Sequence, residues 1–244
     1  MQQQIGSIEF ELLRKPIKHM RIHVLPPDGL VQVVAPHSFT ETAIRLAFIA
    51  RMPWIKKQQQ AFLQQARQSE RQYVSGECHY LWGRAYRLEV VEHSGAHQVR
   101  KGKNNYLQLW VRANTTVPNK AKVLQGFYRQ QLITEVPKLL EKWLPRMELV
   151  LNDWRIKQMK TKWGSCNIEA RRLWLNLELA KKPHACLEYV LVHELVHLLE
   201  RKHNDRFMAY MDRFLPDWRE RRELLNRQPL DGASFASTLL NEAP

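Results

Sequence analysis

The amino-acid sequence predicts an α+β fold with a strand-rich first half and a second half that mixes short strands with helices. Up to about residue 115, short segments rich in β-branched and aromatic residues alternate apolar with polar positions. From residue 119 to residue 144, apolar residues recur instead at helical intervals. These two patterns predict a strand-rich N-terminal lobe over residues 1–115 and a second domain over 116–228 that includes a linking helix at 119–144.

The N-terminal lobe is predicted to contain a β-hairpin, then helices, then further strands. Residues 22–25 and 30–34 are predicted strands, joined by a turn with the sequence Pro-Pro-Asp-Gly. Thr40 is the predicted N-cap of an amphipathic helix, and Pro53 stands where a second helix could begin. Residues 86–91 and 106–111 alternate as half-buried strands do.

The second domain is predicted to place a turn between two strands and then to become helical. Residues 154–159 and 172–176 are the predicted strands, and the Trp-Gly-Ser-Cys sequence at 163–166 is the predicted turn. Helices are expected over about 185–199 and 205–215 and again after Pro216. Residues 229–244 are small and polar, which is typical of a flexible tail.

The charge balance is unusual for a chain of this size. The formal net charge is +14 over 244 residues, which predicts a positive surface potential and attraction to polyanions. Candidate phosphate contacts are Lys101, Lys103, Lys120, Lys122 and the pair Arg171 and Arg172. Non-specific contact with nucleic acid is therefore one expectation, and a basic surface that only keeps the protein in solution is the alternative.

The cysteines and the N-terminal residues indicate a cytoplasmic protein. Three cysteines lie far apart without a CxxC pair, and an odd number does not suit a full disulfide framework. The first residues lack the basic and apolar regions of a signal peptide, and we find no uncharged apolar run long enough to span a membrane. The oligomeric state does not follow from the sequence.

The sequence His193-Glu194-Leu195-Val196-His197 indicates a zinc site on a helix. Two histidines four residues apart project from one helix face, so their imidazoles can bind one Zn²⁺ ion. Glu194 follows the first histidine and can take a proton from zinc-bound water. Apolar residues surround this segment on nearly every side, which predicts that the helix is buried. The alternative is a pair of core histidines with ordinary hydrogen bonds.

Several side chains compete for the third ligand position. His203 lies six residues beyond His197, and it can bind only if the helix ends near Glu200 and the chain turns back. Glu220 or Glu223 on a later helix could bind instead, and Glu200 and Asp205 are weaker candidates. Cys166 could fill a fourth position, which would make the zinc site structural and would leave Glu194 without a role.

These motifs together resemble the YgjP-like zinc metallopeptidases, which are relatives of the SprT and WLM peptidases in the minimal zincin group. The resemblance rests on the segments 159–166, 175–176, 189–197, 203–204 and 216–217 with Pro183 and Phe207, and more weakly on 33–36, 54–55 and 81–86. It implies a minimal zincin-like domain with a short sheet, the HExxH helix and C-terminal helices. It also implies that His193, His197 and His203 bind one Zn²⁺ ion, that Glu194 is the general base, and that segment 163–166 lies close to the site. From their residue types alone, Trp163 and Cys166 are expected to pack.

Three functions fit these expectations. The first is a metallopeptidase, in which a strand edge near residues 172–176 pairs with an extended substrate and Tyr210, His184 or Arg206 stabilises the oxyanion. The second is a metal-dependent hydrolase of nucleotide phosphoanhydrides. The third is a nucleic-acid-associated, SprT-like protease. The sequence identifies no physiological substrate.

Overall fold

The computed structural model describes residues 2–25, 29–64, 71–159 and 162–227. The first three residues of the predicted turn at 26–29 and the predicted tail at 229–244 lie outside these ranges. Contacts between residues divide the chain into two compact units, whose described residues are 2–64 and 71–227. No helix within the described ranges is long and apolar enough to cross a membrane.

The first unit is a four-stranded sheet packed with one long helix. Its strands are β1 (Gln2–Ile5), β2 (Ile8–Lys15), β3 (Arg21–Leu25) and β4 (Leu30–Pro36), in the order β1-β2-β4-β3. The predicted hairpin is the antiparallel pair β3–β4, whereas β2 and β4 are parallel. Helix α1 (Glu41–Gln64) begins after Thr40, whose Oγ1 accepts a hydrogen bond from the Ala43 N–H at 3.2 Å. Pro53 lies inside this helix and does not begin a second one.

The second unit begins with another four-stranded sheet. Its strands are β5 (Cys78–Leu81), β6 (Arg84–Glu92), β7 (Gln98–Lys101) and β8 (Tyr106–Val111), in the order β5-β6-β8-β7. Helix α2 (Val117–Met147) contacts β7 and β8. Helix α2 covers the residues 119–144 that were predicted to be helical, but Pro145 is part of the helix and does not end it.

The rest of the second unit is a three-stranded sheet with three helices. The strands are β9 (Asp153–Lys157), β10 (Gly164–Asn167) and β11 (Arg172–Asn176), in the order β10-β11-β9. A 3₁₀ helix (Leu177–Lys181) leads to α3 (His184–Val196), α4 (Asp205–Phe214) and α5 (Trp218–Arg227). The prediction of a turn at 163–166 is wrong, because residues 164–166 are paired with β11 in an antiparallel ladder.

The predicted boundary between residues 115 and 116 falls inside the second unit. The reason is packing: β7 and β8 contact α2, and β5 contacts the 3₁₀ helix Leu177–Lys181. The tip of the β5–β6 hairpin adds backbone hydrogen bonds, from the Trp82 N–H to the Ala180 oxygen at 2.9 Å and from the Gly83 N–H to the Lys181 oxygen at 3.1 Å. Strands that pack this way on α2 and the 3₁₀ helix share one unit with them.

A charge network around Glu188 fastens α3 to its neighbouring helices. The Glu188 carboxylate accepts hydrogen bonds from Lys142 Nζ at 2.6 Å and Trp143 Nε1 at 3.0 Å on α2, and from Arg221 on α5. Burial acts to raise the pKa of Glu188, but the hydrogen bonds from Lys142, Arg221 and Trp143 together outweigh burial and hold the pKa below its ordinary value. The ionised carboxylate therefore joins three helices.

We expect Glu188→Gln to destabilise the fold by about 2 kcal/mol at neutral pH, because charge-assisted hydrogen bonds to two helices are weakened. Since the folded-state pKa of Glu188 is lowered, its contribution is complete above about pH 4.5 and is lost as the pH falls through the folded-state value. Urea unfolding at a series of pH values measures this, and the gap between wild type and variant should narrow as the pH falls below 4.5 and close once the carboxylate of the folded protein is protonated. Glu135→Gln, which breaks the exposed ion pair with Lys138, is the control and should cost under about 0.5 kcal/mol. A gap that persists unchanged into acid would contradict the assignment.

Candidate metal centre

Helix α3 carries His193 and Glu194 into the protein interior. Leu191, Val192, Leu195 and Val196 on this helix are fully buried, so the helix is held on several sides by apolar packing. In that environment His193 is 7% exposed and Glu194 is 5% exposed. Buried polar side chains need compensating partners, which marks this stretch as a functional site.

Helix α3 ends early enough for the chain to turn back and bring His203 toward His193. Regular α3 geometry stops at Val196, and the Val196 carbonyl accepts hydrogen bonds from the N–H groups of Leu199 at 2.8 Å and Glu200 at 2.9 Å. The predicted break near Glu200 therefore occurs, and it begins about one turn earlier. It allows the chain to reverse direction before His203.

His203 is held by the cap of the next helix. The Asn204 side chain caps α4 by accepting a hydrogen bond from the Phe207 N–H at 3.0 Å. His203 precedes this cap directly, and its Nε2 lies 3.0 Å from Nε2 of His193. The ligand atoms of His193, His197 and His203 all lie within 4.8 Å of one another. The structure thus brings together the three histidines that the sequence singles out.

Phe207 forms an apolar wall shared by all three imidazoles. The Phe207 ring centroid lies 4.9 Å from those of His193 and His197 and 4.6 Å from that of His203. Phe207 is 2% exposed, so it belongs to the core. No role in the site was predicted for Phe207 from the sequence, and its position three residues after the Asn204 cap is the signal that could have revealed one.

The histidine ring nitrogens are arranged as metal ligands require. His197 Nδ1 lies 3.3 Å from the Glu200 carbonyl oxygen, a contact in which Nδ1 carries the proton and Nε2 keeps its lone pair. Burial lowers the pKa of His193 well below its ordinary value, and the nearby His197, His203 and Arg222 lower it further. His193 is therefore neutral at pH 7, as a metal ligand must be.

The distance between the nitrogens allows a test of whether a metal fits. Two nitrogens on a tetrahedral zinc ion, each at about 2.0–2.1 Å, are about 3.3 Å apart. The 3.0 Å separation of the His193 and His203 Nε2 atoms is close to this value and needs a shift of only a few tenths of an ångström. The residues present therefore fit a metal ion held by three imidazoles.

The competing ligands are not part of this group. Among the described residues, the cluster of possible ligand atoms contains the three histidines and does not include Cys166, Glu200, Asp205, Glu220 or Glu223. Burial raises the pKa of the Cys166 thiol to about 12, and the negative charge of Glu194 contributes to this rise. A thiol that lies outside the cluster of ligand atoms does not favour the closed, structural zinc site that the sequence left open.

Gly164 on β10 borders the Glu194 carboxylate. A Cβ atom placed on Gly164 would lie 2.7 Å from both Cγ and Oε1 of Glu194, closer than such atoms can approach. Gly164 is itself buried. Only glycine at this position leaves room for the Glu194 side chain, which explains why the Trp-Gly-Ser-Cys segment and the HExxH helix occur together.

Asn176, at the end of β11, joins the segments around the site. Its Nδ2 donates to the Met159 oxygen at 3.1 Å and the Lys162 oxygen at 2.6 Å, and its Oδ1 accepts from the Glu178 N–H at 3.1 Å. Asn176 is fully buried. From the sequence, Asn176 was expected as the last residue of a strand and as part of the resemblance; the 3₁₀ helix Leu177–Lys181 that it caps was not predicted.

The sheet corrects the predicted substrate edge. Strand β11 is the central strand, because β10 pairs with one side of it and β9 with the other. Residues 172–176 therefore have no free edge for a substrate. Strand β10 is at the edge of this sheet, next to Glu194.

The suggested oxyanion residues are differently placed. His184 opens α3, nine residues or about 13 Å along the helix from His193, and stacks on Trp82 with centroids 4.0 Å apart. It is too far away for that role. Arg206 donates a hydrogen bond to the Tyr210 hydroxyl at 3.3 Å on α4. This pair stays a candidate.

Three convergent imidazoles beside a buried carboxylate form a site that could hold a metal ion through three protein ligands. The family described as YgjP-like, metallopeptidase domain matches residues 18–228, and the chain belongs to this family. It is accordingly a metallopeptidase, a hydrolase of peptide bonds. The α+β fold with its C-terminal helices is consistent with the minimal zincin-like domain that the resemblance implied.

Solved structures are similar to part of the chain. The crystal structure of the metallopeptidase zymogen of Pyrococcus abyssi abylysin shares 22% identity with a TM-score of 0.34, covering 38% of this chain and 90% of that chain. That of Methanocaldococcus jannaschii jannalysin shares 18% identity with a TM-score of 0.34, covering 38% of this chain and 95% of that chain. No curated protein matches the chain.

We expect Gly164→Ala to lower kcat about 100-fold, because the new methyl group displaces the Glu194 carboxylate by a large fraction of an ångström. Metal content should stay at the wild-type level, since the atoms nearest to the added Cβ belong to Glu194 and not to a histidine. The control is Gly126→Ala on α2, where an added Cβ meets nothing within 4 Å. That variant should keep full activity and gain up to about 1 kcal/mol of stability. Peptidase rates and metal content are measured for both variants. Full activity in Gly164→Ala would contradict the inference that Gly164 positions the Glu194 carboxylate.

Proposed function

We propose that this protein is a zinc-dependent metallopeptidase in which His193, His197 and His203 bind one zinc ion and Glu194 is the general base. The observation that carries the proposal is the meeting of three imidazoles within 4.8 Å, beside a carboxylate that is 5% exposed. The family membership supports the peptidase activity, and the geometry supports the roles of these four residues.

Zinc is the metal that this donor set favours. Neutral imidazoles suit zinc, whereas calcium and magnesium prefer oxygen ligands. Three protein ligands leave one tetrahedral position for water or substrate, as in catalytic zinc sites. Bound there, zinc would polarise the scissile carbonyl and lower the pKa of a coordinated water molecule.

Glu194 supplies the proton transfers. Its carboxylate faces the Gly164 backbone and follows the ligand His193 in the sequence, so it lies beside the metal position without occupying it. We infer that Glu194 takes a proton from the attacking water and passes it to the leaving amine. Burial keeps other water molecules away from this carboxylate.

Strand β10 supplies the edge for the substrate. Residues Gly164–Asn167 pair with β11 on one side, and the order of the sheet leaves their other side at its edge. An extended peptide can add to such an edge through main-chain hydrogen bonds. We infer that the peptide lies along β10, which brings it past Glu194.

The first test replaces the proposed base. Glu194→Gln should reduce hydrolysis of an unfolded polypeptide such as casein about 10³-fold, because the amide cannot accept the proton, and zinc content should be unchanged. The control is Glu141→Gln, an exposed residue of α2. Nucleoside triphosphates, assayed in parallel, test the phosphoanhydride alternative. Equal rates on casein for Glu194→Gln and wild type would sink the assignment.

The second test separates the candidate third ligands. His203→Ala should weaken zinc binding at least about 100-fold, because removing a ligand costs more than removing an outer hydrogen bond to one. Glu220→Ala and Glu223→Ala are matched controls and should hold zinc as wild type does. Metal analysis after dialysis against a zinc-buffered chelator gives the affinities. Zinc retained in His203→Ala but lost in a glutamate variant would reverse the ligand assignment.

A further inference from the structure

The sheet β5–β8 presents an aromatic and basic surface that the metal centre does not use. Along β8, Tyr106, Gln108 and Trp110 are partly exposed, whereas the alternate residues Leu107 and Leu109 are fully buried. Cross-strand pairing places Arg87 beside Tyr106 and Arg100 beside Gln108. We call this side of the sheet, with Cys78, Arg87, Arg100, Tyr106, Gln108 and Trp110, the open face.

Aromatic rings and guanidinium groups adjoin each other on the open face. The Arg100 guanidinium lies 5.2 Å from the centroid of the Trp110 ring, a cation–π contact. Arg87 and Tyr106 line a cavity of about 450 Å³ together with Cys78 and Asn105. This volume is in the range of sites that hold a small organic group such as a base with its sugar.

The charges on the open face favour an anionic partner. Arg87 and Arg100 are exposed, and Lys103 follows β7 in the turn to β8. The carboxylate of Glu89 on β6 accepts a hydrogen bond from Gln108 Nε2 at 2.8 Å, and this one negative charge is outnumbered by the two arginines. The chain as a whole carries +14. A polyanion would therefore be attracted to the protein and meet cations on this surface.

We propose that the open face binds single-stranded nucleic acid, with a base on Tyr106 in the cavity and phosphates on Arg87 and Arg100. Base stacking on aromatic side chains beside cations that contact the backbone is how single strands are bound without sequence preference. An acidic peptide would use the arginines and gain nothing from the rings. A duplex keeps its bases paired and stacked inside the helix, so it could not place a base on Tyr106.

The binding experiment uses the full chain and a fluorescently labelled single strand of about twelve nucleotides. Fluorescence anisotropy at several salt concentrations gives the affinity and its salt dependence. Arg87→Gln with Arg100→Gln should weaken binding at least about tenfold and reduce the salt slope by about 1.4, since two phosphate contacts are lost. Tyr106→Leu should weaken binding about tenfold, and Tyr106→Phe should retain it.

A control with the same change of charge comes from the other sheet. Arg155 and Lys157 on β9 lie 5.6 Å and 5.9 Å from the centroid of the Trp174 ring, so this pair also combines cations with an aromatic side chain. Arg155→Gln with Lys157→Gln removes two charges away from the open face. Its affinity should stay within about threefold of wild type, because the net charge alone does not hold the strand.

Cys78 gives a readout that needs no variant. It is exposed and lines the cavity, so a bound strand should slow its alkylation by iodoacetamide, followed by peptide mass spectrometry. The proposal is overturned by unprotected Cys78 at a saturating strand concentration, by unchanged affinity in Tyr106→Leu, or by equal losses in the two charge variants. Equal competition by polyglutamate or by a duplex would also overturn it. Since no residue of the metal centre lies on the open face, these results do not depend on the peptidase assignment.

Discussion

Three imidazole nitrogens must converge within a few ångström, and the end of α3 at Val196 is the constraint on which the rest of the site depends. A continuing helix would carry His203 about 600° around its axis from His197 and onto another face. The chain instead leaves the helix, turns through residues 197–203 and starts α4 at the Asn204 cap. Phe207, one turn into α4, then covers all three rings. The cap and the Phe207 ring thus hold in place a third histidine that α3 could not supply.

The helix that carries the site is fixed by charges at one point and by packing elsewhere. Its apolar residues are buried on nearly every side, while Glu188 gathers a lysine, an indole and an arginine from α2 and α5. Close packing of the apolar side chains and the directed hydrogen bonds to the Glu188 carboxylate together set the rotation of the helix about its own axis. Since His193 lies five residues beyond Glu188, fixing the rotation at Glu188 also fixes the direction of the histidine.

Local signals made the meeting of the three histidines predictable, whereas the pairing between distant segments was not. The His193 to His197 spacing, the polar residues after it and Asn204 all act within one or two turns of helix, and the sequence shows them directly. The Trp-Gly-Ser-Cys segment was predicted as a turn, because four residues with a glycine carry no clear alternation. It is a strand only through its partner β11. The central position of β11 and the close approach of Gly164 to Glu194 depend on tertiary contacts in the same way. Pro53 and Pro145 were misjudged because packing holds long helices together around a proline.

The contact between Gly164 and Glu194 ties the proposed base to the backbone of the strand on which we place the substrate. A peptide added to β10 would be aligned by its main-chain groups, which every amino-acid sequence shares. The distance from the scissile bond to the base would then be set before any side chain is recognised. Selectivity of this kind depends on the conformation of the substrate more than on its sequence. A segment would qualify by being extended and free of its own secondary structure, so a folded protein would be spared until part of it unravels.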